Sequence, residues 1–386
     1  MILGIHLGPL RHAPSPLLNS TLNTHYINCL SPRPDFDPQK PSTYSTTFSR
    51  MSFFTPQFQI VSDLHLETPL TTPQYASSRL NVQADNLFLL GDIGLVVDAR
   101  LFQFLRRILE QNRGCRVFYV LGNHEPYQTT YEHAYELLRN FEQDANENFG
   151  SRFKFLCRDR YNLDKTTTIL GCTLWSAIQH DQESEVASRS TDLHSERGIR
   201  NWTLERHRDE HKKDLAWLNS QISTIEKDEP HCQVIIATHY SPTIDSRAND
   251  PRHKGSCVSS NFVTDLSQER CWLSPTVKLW AFGHTHYSCN FRDEKTRKLV
   301  IANQKGYSGF GAGRKKVGIK ALVVEAGEVW AVIERRKSYE EDRIGAISTQ
   351  TKKEMVENST KETNEKKPKG TFLYRMAKRI RSLWNA

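Results

Sequence analysis

Five short polar motifs, each directly after an apolar run of β-type residues, constrain the fold of this chain most strongly. The runs are Phe58–Val61, Leu87–Leu90, Val117–Leu121, Val234–Ala237 and Val277–Phe282. The motifs that follow them are, in the same order, Asp63-Leu64-His65, Gly91-Asp92, Gly122-Asn123-His124-Glu125, Thr238-His239 and Gly283-His284-Thr285-His286. Ligands bind at the carboxyl ends of strands in open α/β sheets, so we expect all five motifs to meet in one crevice.

The residue types in these motifs are those of a metal site. The candidate ligands are Asp63, His65, Asp92, Asn123, His239, His284 and His286. Carboxylate, amide and imidazole groups suit Zn, Mn and Fe. Seven ligands are too many for one tetrahedral ion, whereas two metals that share one ligand fit the number. Any one Asp or Asn alone would be read as a turn or cap residue, but the joint pattern predicts a two-metal hydrolase site.

The same motifs resemble the signature of the calcineurin-like metallophosphoesterase superfamily, which reads D-x-H, G-D, G-N-H-E, H and G-H-x-H. The resemblance covers about residues 57–334 and is strongest to small fungal and bacterial members. It implies an α/β fold, a four-layer α-β-β-α sandwich in a single catalytic domain with disordered termini. It also implies hydrolysis of phosphomonoester or phosphodiester bonds of small molecules by a hydroxide that bridges two divalent metal ions (Mn, Fe or Zn).

The resemblance implies a role for each residue. Asp92 would bridge the two ions, because each of its carboxylate oxygens can bind one metal. The other ligands of the first metal would be Asp63, His65 and His286. The other ligands of the second metal would be Asn123, His239 and His284. His124 would stabilise or protonate the leaving oxygen, since histidine has the side-chain pKa nearest neutral pH.

The chain departs from the protein Ser/Thr phosphatases of the superfamily at one point. Those enzymes continue G-D with x-x-D-R-G, where the Asp pairs with the catalytic His and the Arg holds phosphate. This chain has Leu95 and Val96 at those positions. The difference favours the branch that acts on phosphodiesters and small substrates, and it leaves open what orients His124. Glu67 and Glu125 either orient ligands or lie in solvated turns.

Two other classes of function share the motif pattern. A nuclease is disfavoured because the net charge of +8 lies largely in the chain ends, where four cations fall within residues 371–386, and the catalytic region is nearly neutral. A non-catalytic scaffold is disfavoured because the chain keeps every ligand and His124. His207 and His211 have the spacing of a helical metal pair, but a solvated helix face is the favoured interpretation because no third ligand is nearby.

Composition divides the chain into four segments. Residues 1–55, rich in Ser, Thr, Pro and Asn, predict a disordered extension, and 56–335 the phosphoesterase domain. Residues 336–370 predict a charged disordered linker, and 371–386 a basic amphipathic segment. That segment either makes a weak contact with an anionic membrane or a partner, or is a solvated tail. Scattered cysteines, the absence of a long apolar run and the lack of a basic leader predict a cytoplasmic chain.

Periodicity predicts the remaining elements. Helices are expected over Ala99–Gln111, from a Thr129 cap to about Phe149, and from a Thr203 cap to about Ile225. Further strands are expected at Phe153–Leu156, Thr167–Leu174, Leu299–Asn303, Lys320–Glu325 and Glu328–Glu334. Residues 179–201 are predicted to form a polar surface loop.

Overall fold

The structure, a computed structural model, describes residues 55–307 and 321–333. Its strands are β1 (Gln57–Val61), β2 (Asn86–Leu90), β3 (Arg116–Val120), β4 (Phe153–Leu156), β5 (Asp159–Asn162), β6 (Thr167–Cys172), β7 (Gln233–Thr238), β8 (Val277–Phe282), β9 (Cys289–Arg292), β10 (Leu299–Ala302), β11 (Leu322–Glu325) and β12 (Ala331–Ile333). Its α-helices are α1 (Ala99–Gln111), α2 (Tyr131–Phe149), α3 (Glu183–Arg189), α4 (Leu204–Asp228) and α5 (Arg270–Leu273).

The strands form two six-stranded mixed sheets. The first sheet has the order β12-β11-β1-β2-β3-β4, and the second has the order β5-β6-β7-β8-β10-β9. Strands β1 to β4 are parallel, as are β6, β7, β8 and β10, while β5, β9, β11 and β12 pair antiparallel with their neighbours. The carboxyl ends of the parallel strands in each sheet therefore share one edge.

The alternation of side chains along the strands explains how the layers pack. Phe88 and Leu90 of β2 belong to an apolar cluster that also contains Ile235 and Ala237 of β7, so these faces of the two sheets pack on each other. The opposite faces pack on the helices, since Leu87 and Leu89 share a second cluster with apolar residues of α1, α2 and α4. Adjacent side chains of a strand point to opposite faces, so a strand that is apolar at every position packs on the other sheet with one face and on the helices with the other. The predicted α/β sandwich is confirmed.

Several predicted boundaries needed correction. Helix α1 has the predicted limits, but the side chain that caps α2 is that of Thr130, not Thr129. Thr203 caps α4 as predicted, and the helix continues three residues beyond Ile225. The short strands β5 and β9 were not predicted, because both are polar edge strands. Residues 179–201 were wrongly predicted as a loop, since they contain α3 and two 3-10 turns.

The predictions for the chain ends stay predictions. Apart from Thr55, the extension over residues 1–55 lies outside the described residues, and so do the linker 336–370 and the basic segment 371–386. Among the helices that the structure describes, none has both the length and the apolar character needed to cross a bilayer.

Side chains on the buried face of α4 form hydrogen bonds with the turn that follows β6. His207 and His211 are 1% and 4% exposed, so the predicted solvated helix face is wrong. Nε2 of His207 accepts hydrogen bonds from the backbone N–H (3.1 Å) and hydroxyl (2.9 Å) of Ser176, and Nδ1 of His211 donates to the carbonyl of Leu174 at 2.8 Å. The carboxylate of Asp214 accepts from the N–H of Leu174 at 2.7 Å. These groups satisfy a turn in which Leu174 has a left-handed φ of 72°.

His207 should make the free energy of unfolding depend on pH. Burial, with His211 and Arg208 nearby, lowers the pKa of His207 to about 3. As the pH falls from 7 to 5, the unfolded chain takes up a proton at this residue that the folded chain does not, which destabilises the fold by about 2 kcal/mol. His207→Gln keeps an acceptor but cannot titrate. Urea unfolding at both pH values, with chelator present, measures how much the free energy of unfolding falls between pH 7 and pH 5. This fall should be smaller in the variant by about 2 kcal/mol, and equal falls in the two proteins would contradict the prediction.

Candidate metal centre

The predicted site residues lie at the carboxyl ends of five parallel strands, and both sheets contribute. The loops after β1, β2 and β3 carry Asp63, His65, Asp92, Asn123 and His124. The loops after β7 and β8 carry His239, His284 and His286. Five of the predicted ligands, Asp63, His65, Asp92, His284 and His286, have φ angles between 45° and 71°. Residues other than glycine rarely adopt this left-handed conformation, and such strain collects at functional sites.

Two glycines of the motifs are required by the close approach of neighbouring ligands. A Cβ on Gly283 would lie 2.8 Å from Oδ2 of Asp63 and would overlap the hydroxyl of Ser62. A Cβ on Gly122 would overlap Oδ1 of Asp92. Only a residue without a side chain lets the backbone pass this close to a carboxylate.

The structure brings together the side chains predicted for the first metal. Asp63, His65, Asp92 and His286 each offer a ligand atom, and these atoms lie within 4.8 Å of one another. Nε2 of His65 is 2.9 Å from Nε2 of His286 and 3.8 Å from Oδ2 of Asp92. Oδ1 of Asp63 is 3.5 Å from Nε2 of His286. The backbone N–H of His284 donates to the carboxylate of Asp63 at 3.1 Å and fixes its orientation.

The side chains predicted for the second metal also converge. Nε2 of His239 is 3.4 Å from Oδ1 of Asp92, 3.0 Å from Oδ1 of Asn123 and 3.2 Å from Nδ1 of His284. One carboxylate oxygen of Asp92 faces this group, and the other faces the first group. Asp92 therefore occupies the position that a bridging ligand requires.

The lone pairs of these ligand atoms point at one another. Nδ1 of His239 is 2.7 Å from the carbonyl oxygen of Leu90, so Nδ1 carries the proton and Nε2 does not. Nε2 nevertheless lies 3.0 Å from the amide oxygen of Asn123, whose nitrogen donates to Asp192 at 2.8 Å. Two acceptors at this separation repel each other unless a cation lies between them. The residues present therefore fit a bound metal.

The electrostatics of the site favour the same conclusion. Burial, together with the carboxylates of Glu125 and Asp63, raises the pKa of Asp92 well above its ordinary value. Burial and His239 lower the pKa of His284 well below its ordinary value, so its imidazole is neutral. Neutral imidazole is the form that binds metals, and divalent cations would offset the repulsion among the buried carboxylates.

Glu125 holds two of the ligand loops together. Its carboxylate accepts hydrogen bonds from the backbone N–H groups of Gly122 (2.8 Å), Asp92 (3.0 Å) and Ile93 (2.8 Å) and from the hydroxyl of Tyr119 (2.6 Å). The side chain is fully buried. The alternative that it lies in a solvated turn is therefore wrong, and Glu125 orients the loop that presents Asp92.

Asp192 also supports the site, although it was not predicted from the sequence. Its Oδ1 accepts from Nδ2 of Asn123 at 2.8 Å and from the hydroxyl of Tyr127 at 2.5 Å, and it is 3% exposed. The first bond turns the amide oxygen of Asn123 toward His239, and the second holds the carboxylate of Asp192 in place. No local signal marks this residue, because it is one of several acids within a polar segment that was predicted to be a surface loop.

Replacing Asp192 should weaken metal binding at the second group. In Asp192→Ala the amide of Asn123 loses its fixed orientation, and loss of such a supporting bond reduces metal affinity by about 10- to 100-fold. Titration against a competing chelator measures this affinity. Asp181→Ala, an exposed acid of the same segment, is the matched control and should leave the affinity unchanged. Equal affinities in the two variants would contradict the role of Asp192.

His124 lies beside the ligand groups, as predicted. Its Nε2 is 3.9 Å from Oδ2 of Asp92 and 3.1 Å from the hydroxyl of Tyr307. Its ring lies against the ring of Tyr127, with 4.2 Å between centroids, and its side chain is 12% exposed. His124 thus reaches both solvent and the ligand groups, the position needed for proton transfer to a leaving oxygen.

The fold and the site together define a metallophosphoesterase. Two mixed sheets flanked by helices bring Asp, Asn and His residues from five strand ends to one place. The sequence profile of the calcineurin-like phosphoesterases matches residues 57–288, and the chain belongs to this family of phosphoester hydrolases.

Solved structures of similar shape exist. Phosphopantetheinyl hydrolase from Mycobacterium tuberculosis is 15% identical, with a TM-score of 0.46 over 66% of this chain and 90% of that chain. A dimetal phosphatase from Danio rerio is 13% identical, with a TM-score of 0.41 over 73% of this chain and 99% of that chain. No curated protein sequence matches this chain at a significant level.

Proposed function

We propose that this chain is a metal-dependent phosphoesterase that hydrolyses phosphomonoesters or phosphodiesters of small molecules at a dinuclear metal centre. The ligands are Asp63, His65, Asp92, Asn123, His239, His284 and His286, and His124 assists the leaving group. The observation that carries the proposal is the pair of acceptors formed by Nε2 of His239 and Oδ1 of Asn123, which lie 3.0 Å apart although Nδ1 of His239 donates to the carbonyl of Leu90 and Nδ2 of Asn123 donates to Asp192.

The chemistry divides between the metals and the side chains. Two divalent cations would neutralise phosphate charge and lower the pKa of water between them. Asp92 lies between the two ligand groups and would contribute a carboxylate oxygen to each cation. His124 transfers a proton from Nε2 to the leaving oxygen, because Nε2 is the ring nitrogen nearest the ligands.

A substrate panel on metal-reconstituted protein tests the proposal. The panel consists of bis(p-nitrophenyl) phosphate, p-nitrophenyl phosphate and cyclic nucleotides, each assayed with Mn, Fe or Zn. We expect turnover of at least one ester, lost after chelation and restored by added metal. Failure of the protein to turn over any of these esters with any of the metals would contradict the proposal. The relative rates would distinguish monoester from diester preference.

A further inference from the structure

Glu67 lies between a proposed metal ligand and the proposed proton donor. It follows His65 by two residues in the loop after β1, and its side chain is buried, with 3% of the residue exposed. Its Oε1 is 3.1 Å from Nδ1 of His65 and 3.1 Å from Nδ1 of His124. One carboxylate oxygen therefore contacts both imidazole rings.

These contacts fix which nitrogen of each ring carries a proton. An ionised carboxylate only accepts hydrogen bonds, so both rings donate from Nδ1. Nε2 of His65 is then free to bind a cation, and Nε2 of His124 faces Asp92. The hydroxyl of Tyr307, 3.1 Å from Nε2 of His124, can donate to that nitrogen, which agrees with an unprotonated Nε2 in the resting site.

Position 95 in the loop after β2 supplies no acid to the ring of His124. Leu95 in that loop is buried and offers no acceptor. Leu95 and Glu67 line the same cavity, which has a volume of about 370 Å³. A carboxylate from the loop after β1 and an apolar side chain from the loop after β2 thus face the same space.

We propose that Glu67 is the positioning residue that orients His124 for proton transfer to the leaving group, and that it orients His65 toward the first metal. The inference rests on the proposed function. In the reaction the phosphorus–oxygen bond to the leaving group breaks with its electron pair on oxygen, as the oxygen of water bonds to phosphorus and the water releases one proton to solvent. Nε2 of His124, which is unprotonated at rest and reaches solvent, takes up a proton before this step and gives it to the leaving oxygen, while Nδ1 keeps its bond to Glu67. The ring thereby returns to its resting form.

The tautomer of His124 gives a direct test that does not use activity. In protein with ¹⁵N-labelled histidine, long-range ¹⁵N–¹H NMR correlations identify the protonated ring nitrogen. The signal of His124 is assigned by its absence in His124→Ala. We expect the Nδ1–H form in the wild-type chain and loss of this preference in Glu67→Gln, whose amide can turn its NH₂ group toward the ring. An Nε2–H form in the wild-type chain would overturn the inference.

The dependence on the leaving group gives a second test. Glu67→Gln should slow hydrolysis of a phenyl ester by about 10- to 100-fold. It should slow the matching p-nitrophenyl ester much less, since that leaving group departs without a proton. In a His124→Ala background the same substitution should have little further effect. Metal content is measured on the same samples. A lower metal content reports the effect of Glu67 on His65, and a lower rate at unchanged metal content reports its effect on His124.

The outcomes separate the two proposals. A wild-type chain that hydrolyses no ester contradicts the proposed function, and the NMR measurement still decides the role of Glu67 toward His124. If the wild-type chain is active, either of two results overturns the role of Glu67 alone. One is that Glu67→Gln lowers the hydrolysis rates of the two esters by the same factor. The other is that it lowers these rates in the His124→Ala background as much as in the wild-type chain.

Discussion

Asp92→Asn should abolish the phosphoesterase activity while leaving the fold intact. The amide keeps the shape of the carboxylate but loses the charge and one of the two oxygens that face the ligand groups. We expect at least one metal to be lost and kcat to fall by on the order of 10³-fold or more, because bound metal contributes several kcal/mol of transition-state stabilisation. Metal analysis and steady-state kinetics on the same preparation measure both effects.

Without metal, Asp92→Asn should not lower the thermal stability of the chain. Without metal, the carboxylate of Asp92 is buried beside Glu125 and Asp63, which raises its pKa well above its ordinary value. A neutral isostere removes this repulsion, so Asp92→Asn in chelator should melt at or above the wild-type temperature. Asp181→Asn, at an exposed position, is the control and should change neither activity nor melting. A variant at Asp92 that binds two metals and keeps its kcat would contradict the bridging role.

His124→Ala should lower activity without lowering metal content. Nε2 of His124 lies 3.9 Å from Oδ2 of Asp92, but His124 is in neither of the two ligand groups that contain Asp92. Loss of a positioned general acid costs about 10²- to 10⁴-fold in rate, and the cost is largest for a leaving group of high pKa. Rates for a series of substituted phenyl esters should therefore show a steeper dependence on leaving-group pKa in the variant than in the wild-type chain.

The matched control for this experiment is His133→Ala. His133 lies on α2 with its side chain 53% exposed, and it belongs to none of the groups among the described residues that could hold a metal. It should reproduce the wild-type slope and rate. An unchanged slope in His124→Ala, whatever the absolute rate, would mean that another group supplies the proton.

The positions of the ligand residues were predictable because two local signals agreed. Each ligand motif follows a run of apolar β-type residues, and parallel strands necessarily end at a common edge. The run before Asp92 is apolar at every position, as a strand buried on both faces requires, and β2 is fully buried. The strand pattern and the motif order therefore placed Asp92 and His239 near each other, although they are far apart in the chain.

The supporting residues were not predictable, since their partners come from distant segments. The i, i+4 spacing of His207 and His211 does not say which side of the helix faces the core, and both proved to be buried beneath the turn at Leu174. Asp192 contacts Asn123 from a segment whose polar composition indicated a surface loop. Glu67 was placed near a ligand by the sequence, but its contact with His124 depends on how two strand ends meet.

The division of the ligands between the two sheets has a consequence for assembly. Asp63, Asp92 and Asn123 come from the N-terminal part of the chain, and His239 and His286 come from a part more than a hundred residues later. Neither half holds a complete coordination sphere, so ion capture must wait until the sheets have docked. A tightly bound metal pair would then connect the two sheets. It would slow their separation during unfolding and would not nucleate the folding of either half.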